Sequence, residues 1–101
     1  MINKELRENA KKLGFYAGTP LGDRGEQDNE IFLALLNNYM LDKYEYNIAT
    51  YYDTYDNYGW YWTISYSNGL IHEQSETWSF SKIEALEKGL IKLVNDYIEE
   101  L

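Results

Sequence analysis

Between Tyr44 and Tyr66 the apolar residues recur at every second position, and between Ile83 and Ile98 they recur at every third or fourth. Successive side chains on a strand point to opposite faces, whereas a helix returns to one face every 3 to 4 residues, so the two stretches require a sheet and a helix. On the first strand Tyr44, Tyr46, Ile48, Thr50 and Tyr52 share one face, with Glu45, Asn47, Ala49 and Tyr51 on the other. A turn region, DTYDNYG, leads into a second strand that places Trp60, Trp62, Ile64 and Tyr66 on one face. Ser67-Asn68-Gly69 turns the chain into a third strand expected to end near Trp78.

The helical stretch begins on the strongest local signature in the chain. In Phe80-Ser81-Lys82-Ile83-Glu84, Ser81 and Glu84 have capping-box spacing, and Phe80 is placed to staple against Ala85. Ile83, Leu86, Leu90, Leu93, Val94, Tyr97 and Ile98 form the apolar stripe. Gly89 interrupts that stripe at a cost of about 1 kcal/mol relative to alanine, which predicts close packing against a bulky ring of the sheet. Trp60, Trp62 and Ile64 are the natural partners for the stripe and are expected in the core.

Two helices precede the strands. Asn3 caps a first one with Ile2, Leu6, Ala10 and Leu13 on one face, Lys11 and Lys12 in the last turn, and Gly14 as a left-handed exit. The glycine-rich stretch GFYAGTPLGDRGEQDN reads as a connector: no strand precedes it and no Gly-Lys-Ser/Thr closes it, so it lacks a phosphate loop's elements. A second helix, from about Glu30 to Lys43, carries Ile31, Phe32, Leu35, Leu36, Tyr39 and Met40, an arc wide enough to predict that it is largely buried. The fold class is therefore α+β, ordered α-α-β-β-β-α, a three-stranded antiparallel meander packed on a long C-terminal helix. At 101 residues it is read as a single domain, 1–101.

The residues argue against catalysis. Without cysteine there is no thiolate nucleophile, disulfide or sulfur-type zinc site. His72 is the one imidazole available to activate a serine, and in a strand it stands roughly 13 Å from Glu76, beyond an orienting hydrogen bond. Asp53, Asp56 and Asn57 precede Gly59 without the alternating ligands and distal glutamate of a calcium loop. The expectation is no enzyme, no cofactor and no metal.

Charge points to binding instead. Nine basic against 17 acidic residues give a net charge of −8, and Tyr44 to Ser81 contains no Lys or Arg while carrying Glu45, Asp53, Asp56, Glu73 and Glu76. Such a field repels nucleic-acid phosphates and attracts basic protein surfaces. Once Trp60 and Trp62 are assigned inward, Tyr51, Tyr55, Tyr58 and Tyr61 are left for the opposite face and adjoining turn beside Asp53 and Asp56. Tyrosine offers large contact area and a hydroxyl at low entropic cost, so these six residues are the expected partner-binding set. No stretch reaches the roughly 18 apolar residues of a membrane span, and the N-terminus lacks a signal peptide's apolar run, so the protein is expected in the cytoplasm.

Two resemblances add to this reading. The order helix, three antiparallel strands, helix resembles a double-stranded-RNA-binding domain, and SKIEALEKGL is similar to the start of that family's last helix at Ser81, Lys82 and Ala85. The family's basic cluster is missing, because Glu84 and Glu87 follow Lys82, so the resemblance implies the architecture without the RNA. Phe80, Glu84, Ala85, Leu86, Gly89 and Leu90 also resemble the closing helix of small uncharacterised phage and prophage proteins. Those capping and packing residues imply a fold and a phage setting. Together with the charge asymmetry of residues 44–81 and the spare tyrosines, they lead to the expectation of an anti-defence inhibitor in the host-cell cytoplasm that occupies a basic host surface, such as the nucleic-acid groove of a defence effector. The alternative is a binder that sequesters a nucleotide signal on stacked aromatics, including between subunits of a homo-oligomer. A pocket containing Arg24 or Lys82 would favour it.

Overall fold

A computed structural model describes residues 3–15, 29–54 and 59–101. It shows the α+β order expected: α1 (Lys4–Lys12), α2 (Asn29–Tyr44), β1 (Tyr46–Asp53), β2 (Gly59–Tyr66), β3 (Ile71–Gln74) and α3 (Lys82–Glu99). Local chemistry sets the helix ends. Asn3 Oδ1 accepts the Leu6 N–H at 3.0 Å, and Ser81 Oγ accepts the Glu84 N–H at 3.1 Å. Gly14 leaves α1 at φ +95°, with its N–H bonded to the Lys11 carbonyl at 2.9 Å. Among the described residues no helix is long and apolar enough to cross a membrane.

The sheet is antiparallel in the order β1-β2-β3. Register fixes the faces: Tyr46↔Tyr66, Ile48↔Ile64, Thr50↔Trp62 and Tyr52↔Trp60 alternate with Asn47↔Ser65, Ala49↔Thr63 and Tyr51↔Tyr61. The first set faces α3, because a Cβ on Gly89 would meet Ile48 and Trp62. The core joins Ile48 and Ile64 to Leu90, Leu93 and Val94 of α3, and extends through Leu6 and Leu36 of the other helices.

Helix α2 guards the edge of the sheet. Asn37 donates from Nδ2 to the Ile48 carbonyl at 2.9 Å, and its Oδ1 accepts the Ile48 N–H at 2.7 Å. The side-chain amide thus supplies the donor and acceptor that a further strand would have offered.

Several expectations are corrected. Tyr44 belongs to α2, because the helix continues until Glu45 turns the chain at φ +65°. The buried stripe of α2 is Phe32, Leu33, Leu36 and Met40, while Ile31 and Leu35 are exposed. Strand β3 stops at Gln74, and the chain rejoins β2 at an isolated bridge between Ser79 and Trp60. Phe80 is completely exposed, so it makes no staple with Ala85. Trp62 packs on the core, but Trp60 is only partly buried and meets Tyr52 edge-on at 5.4 Å. The face away from α3 is not open along its length either. Thr63 and Ser65 are buried there, their hydroxyls 3.1 Å apart on the central strand.

Candidate functional site

The end of the sheet where β1 stops and β2 begins gathers the expected partner-binding residues that are described. Tyr51 and Tyr61 are register partners, and their rings stack at 5.5 Å with 28° between planes. Trp78 meets Tyr61 edge-on at 6.3 Å. Asp53 pairs in register with Gly59 and is partly buried. Tyr55, Asp56 and Tyr58 lie outside the described residues.

Gly59 makes this arrangement possible. A Cβ there would stand 3.0 Å from Trp78 Cβ and 3.1 Å from the Ser79 carbonyl oxygen, so only hydrogen lets the returning chain lie this close. The approach is fixed by two backbone bonds, Trp60 N–H to Ser79 O at 2.8 Å and Ser79 N–H to Trp60 O at 2.7 Å. It sets Phe80 at the same end of the sheet.

Sequence reasoning missed two rings at this end. Tyr52 lies on the α3 face yet is 49% exposed, and Phe80 is 100% exposed, while Tyr51 is 45% exposed. Alternation assigned Tyr52 to the buried face because it reports only which side a residue occupies. Position along the strand decides whether the helix covers it.

The opposite end of the sheet holds a cavity of about 360 Å³ between β1, β2, β3 and the last turns of α3. Tyr46, His72, Tyr97, Asp96, Glu99 and Glu100 line it, above Ile64 and Leu93. His72 reaches it through a register shift: Ile64 pairs with Glu73 and Ser65 with Ile71, which leaves His72 as an extra residue. Its ring lies 5.5 Å from that of Tyr46 and 5.6 Å from that of Tyr66. The Tyr66 hydroxyl is 3.5 Å from His72 Nδ1.

The cavity's phenols are held neutral. The hydrogen bond to Tyr66 pushes the Tyr46 hydroxyl up to about 12, with burial and the nearby Tyr66, Tyr97 and Glu100 adding to the shift. Burial raises Tyr97 first, followed by the negative fields of Glu100, Tyr44 and Asp96. Lys92 Nζ is 2.8 Å from Asp96 Oδ1 and 3.9 Å from Glu73 Oε1. Among the described residues no group of three or more His, Asp or Glu side chains could hold a metal ion.

The chain matches no family model, and no curated protein or solved structure is significantly similar to it.

Proposed function

We propose that this protein is a non-enzymatic binding protein whose acidic, aromatic sheet end occupies a basic surface on another protein. The carrying observation is Phe80, fully exposed at the sheet end that also presents the half-exposed Tyr51 and Tyr52. Tyr51 and Tyr52 project from opposite faces of β1, so the exposed rings lie around the rim of this sheet end, and aromatic residues supply a disproportionate share of interface energy. Asp53 and the net charge of −8 set the sign of the partner. The likeness of the closing helix to small phage proteins adds a host protein as that partner, with its nucleic-acid groove as the basic surface.

Sequestering a nucleotide is the weaker reading. The aromatic cavity at the far end is lined by Asp96, Glu99 and Glu100, whose charge disfavours phosphate; Lys82 is not among its lining residues, and Arg24 lies outside the described residues. The test is capture from a bacterial lysate by the parent and by a Tyr51→Ser, Phe80→Ser variant in parallel, followed by association kinetics with the captured protein. Loss of a basic protein in the variant is the expected result. Equal retention by both would count against this surface.

A further inference from the structure

The last turn of α3 has an unusual electrostatic design. A helix C-terminus carries a partial negative charge and exposes unpaired carbonyls, so bases are favoured there, yet this turn has none. It carries Asp96 and Glu99 instead, with Glu100 as the C-cap. Lys92 engages Asp96, but neither Glu99 nor Glu100 forms a salt bridge among the described residues. The carboxylates and the helix end therefore sum to a concentrated negative field at the mouth of the cavity.

The walls of that cavity are aromatic. Tyr46 is inclined by 51° both to His72, at 5.5 Å, and to Tyr97, at 6.4 Å, so the three rings that line the cavity are tilted against one another and do not form a flat stack. Tyr44 stacks on Tyr97 at 4.0 Å and fixes its orientation. Ring faces attract cations through their quadrupole, and carboxylates add a charge of the same preference. The volume of about 360 Å³ is at the small end of ligand sites. A hard metal ion fits poorly, because it needs converging oxygen ligands that the described residues do not assemble.

We propose that the cavity between Tyr46, His72, Tyr97 and the Glu99–Glu100 end of α3 is a binding site for an organic cation, an alkylammonium or guanidinium group. The apolar floor of Ile64 and Leu93 takes the carbon stem, the rings take the cationic head, and Glu99 and Glu100 balance its charge. The same chemistry is offered by a free polyamine and by a lysine or arginine side chain of a bound protein. This site is separate from the aromatic sheet end, since Tyr46 and Asp53 stand at opposite ends of β1, seven residue steps of about 3.3 Å apart. Variants at Tyr51 and Phe80 leave it untouched, so the two readings fail independently.

The test is a titration of n-butylguanidinium into the full chain, followed by the NMR signals of Tyr46, His72 and Tyr97. The expected result is saturable shifts at these residues, with n-butylurea, similar in shape but uncharged, binding about tenfold more weakly or less. Glu99→Gln with Glu100→Gln, both at exposed positions, is expected to weaken the cation about three- to tenfold at constant ionic strength. Absence of saturable shifts, equal affinity for n-butylurea, or unchanged affinity in the folded glutamine variant would overturn the proposal. The comparison with n-butylurea uses the unmodified chain and stands even if the variant folds poorly. Parallel titrations with spermidine and a capped arginine assign the source. Tighter spermidine binding identifies a free polyamine, and tighter arginine binding identifies a partner's side chain.

Discussion

Gly89 lies directly against Trp62: a Cβ on the glycine would stand 3.0 Å from Trp62 Cγ and 2.7 Å from Ile48 Cγ2. Alanine at this position gains about 1 kcal/mol of helix propensity. It also forces α3 off the sheet, and overpacking costs about 1–3 kcal/mol. Because the Ile48 clash is with a core side chain, Gly89→Ala is expected to destabilise by about 1–2 kcal/mol on balance. Chemical denaturation checks this, and a stabilised variant would show that the helix is free to shift.

Asn37 presents a different kind of constraint. Its amide satisfies both the N–H and the carbonyl of Ile48, a residue in the buried core. Asn37→Leu strands both groups, and each unsatisfied buried group costs about 1–3 kcal/mol. The expected result is a lower unfolding midpoint together with concentration-dependent self-association through the uncovered β1 edge. Sedimentation measured beside denaturation separates the two effects.

Core and margin are distinguished by a pair of substitutions. Leu90 is fully buried under the sheet, and Leu90→Ala is expected to cost about 3 kcal/mol or more. Trp60 is only partly buried and lies outside the core cluster, so Trp60→Ala is expected to cost distinctly less, about 1–2 kcal/mol. Equal losses in thermal unfolding would place Trp60 back in the core.

These contrasts mark what was readable from the residues. The Ser81 cap, the Gly14 exit and the tight seat of Gly89 are local or short-range properties and each appears where the spacing puts it, while the period change comes two residues later than the alternation from Tyr44 suggests. Trp60, Tyr52 and Phe80 depend on how far α3 extends over the sheet, which periodicity does not encode. The Asn37 contact spans a helix and a strand, and no local pattern signals it. His72 is an exposed strand residue, as its surroundings in the sequence imply, but the register shift that turns it to the Tyr46 face arises from pairing with β2 and has no local signal. Of the expected binding set, Tyr51 and Tyr61 come together through the β1–β2 register, which alternation on the two strands anticipates once the turn is assigned.

Alkaline titration tests the phenol cluster. The Tyr46 hydroxyl is raised from 10.0 to about 12, chiefly by its bond to Tyr66, so the fold favours the protonated phenol. A group raised on folding contributes stability that is complete below its unfolded value and disappears as pH climbs through its folded value. The stability of the parent should therefore fall between pH 10 and about 12, and Tyr46→Phe should flatten that fall. Denaturation midpoints across this window provide the check, with phenolate absorbance showing one fewer late-titrating tyrosine in the variant.

The aromatic sheet end should separate folding from binding. Phe80 contributes no buried surface and Tyr51 is about half buried, so serine at both positions is expected to change stability by about 1–2 kcal/mol, most of it from the lost packing of Tyr51 on Tyr61. The same rings at the centre of an interface would each be worth about 2 kcal/mol or more, a loss of at least tens of fold in affinity. Charge should act on a different step. Asp53→Lys with Asp56→Lys reverses the field that draws a basic partner inward, so it should slow association more than it speeds dissociation. Added salt should slow association of the parent but not that of the charge-reversed protein, because screening removes an attraction in the first and relieves a local repulsion in the second. Stopped-flow association with the captured partner across a salt series reads both effects. Salt-independent rates in the parent, alongside intact binding by the serine variant, would exclude this end of the sheet as the binding surface.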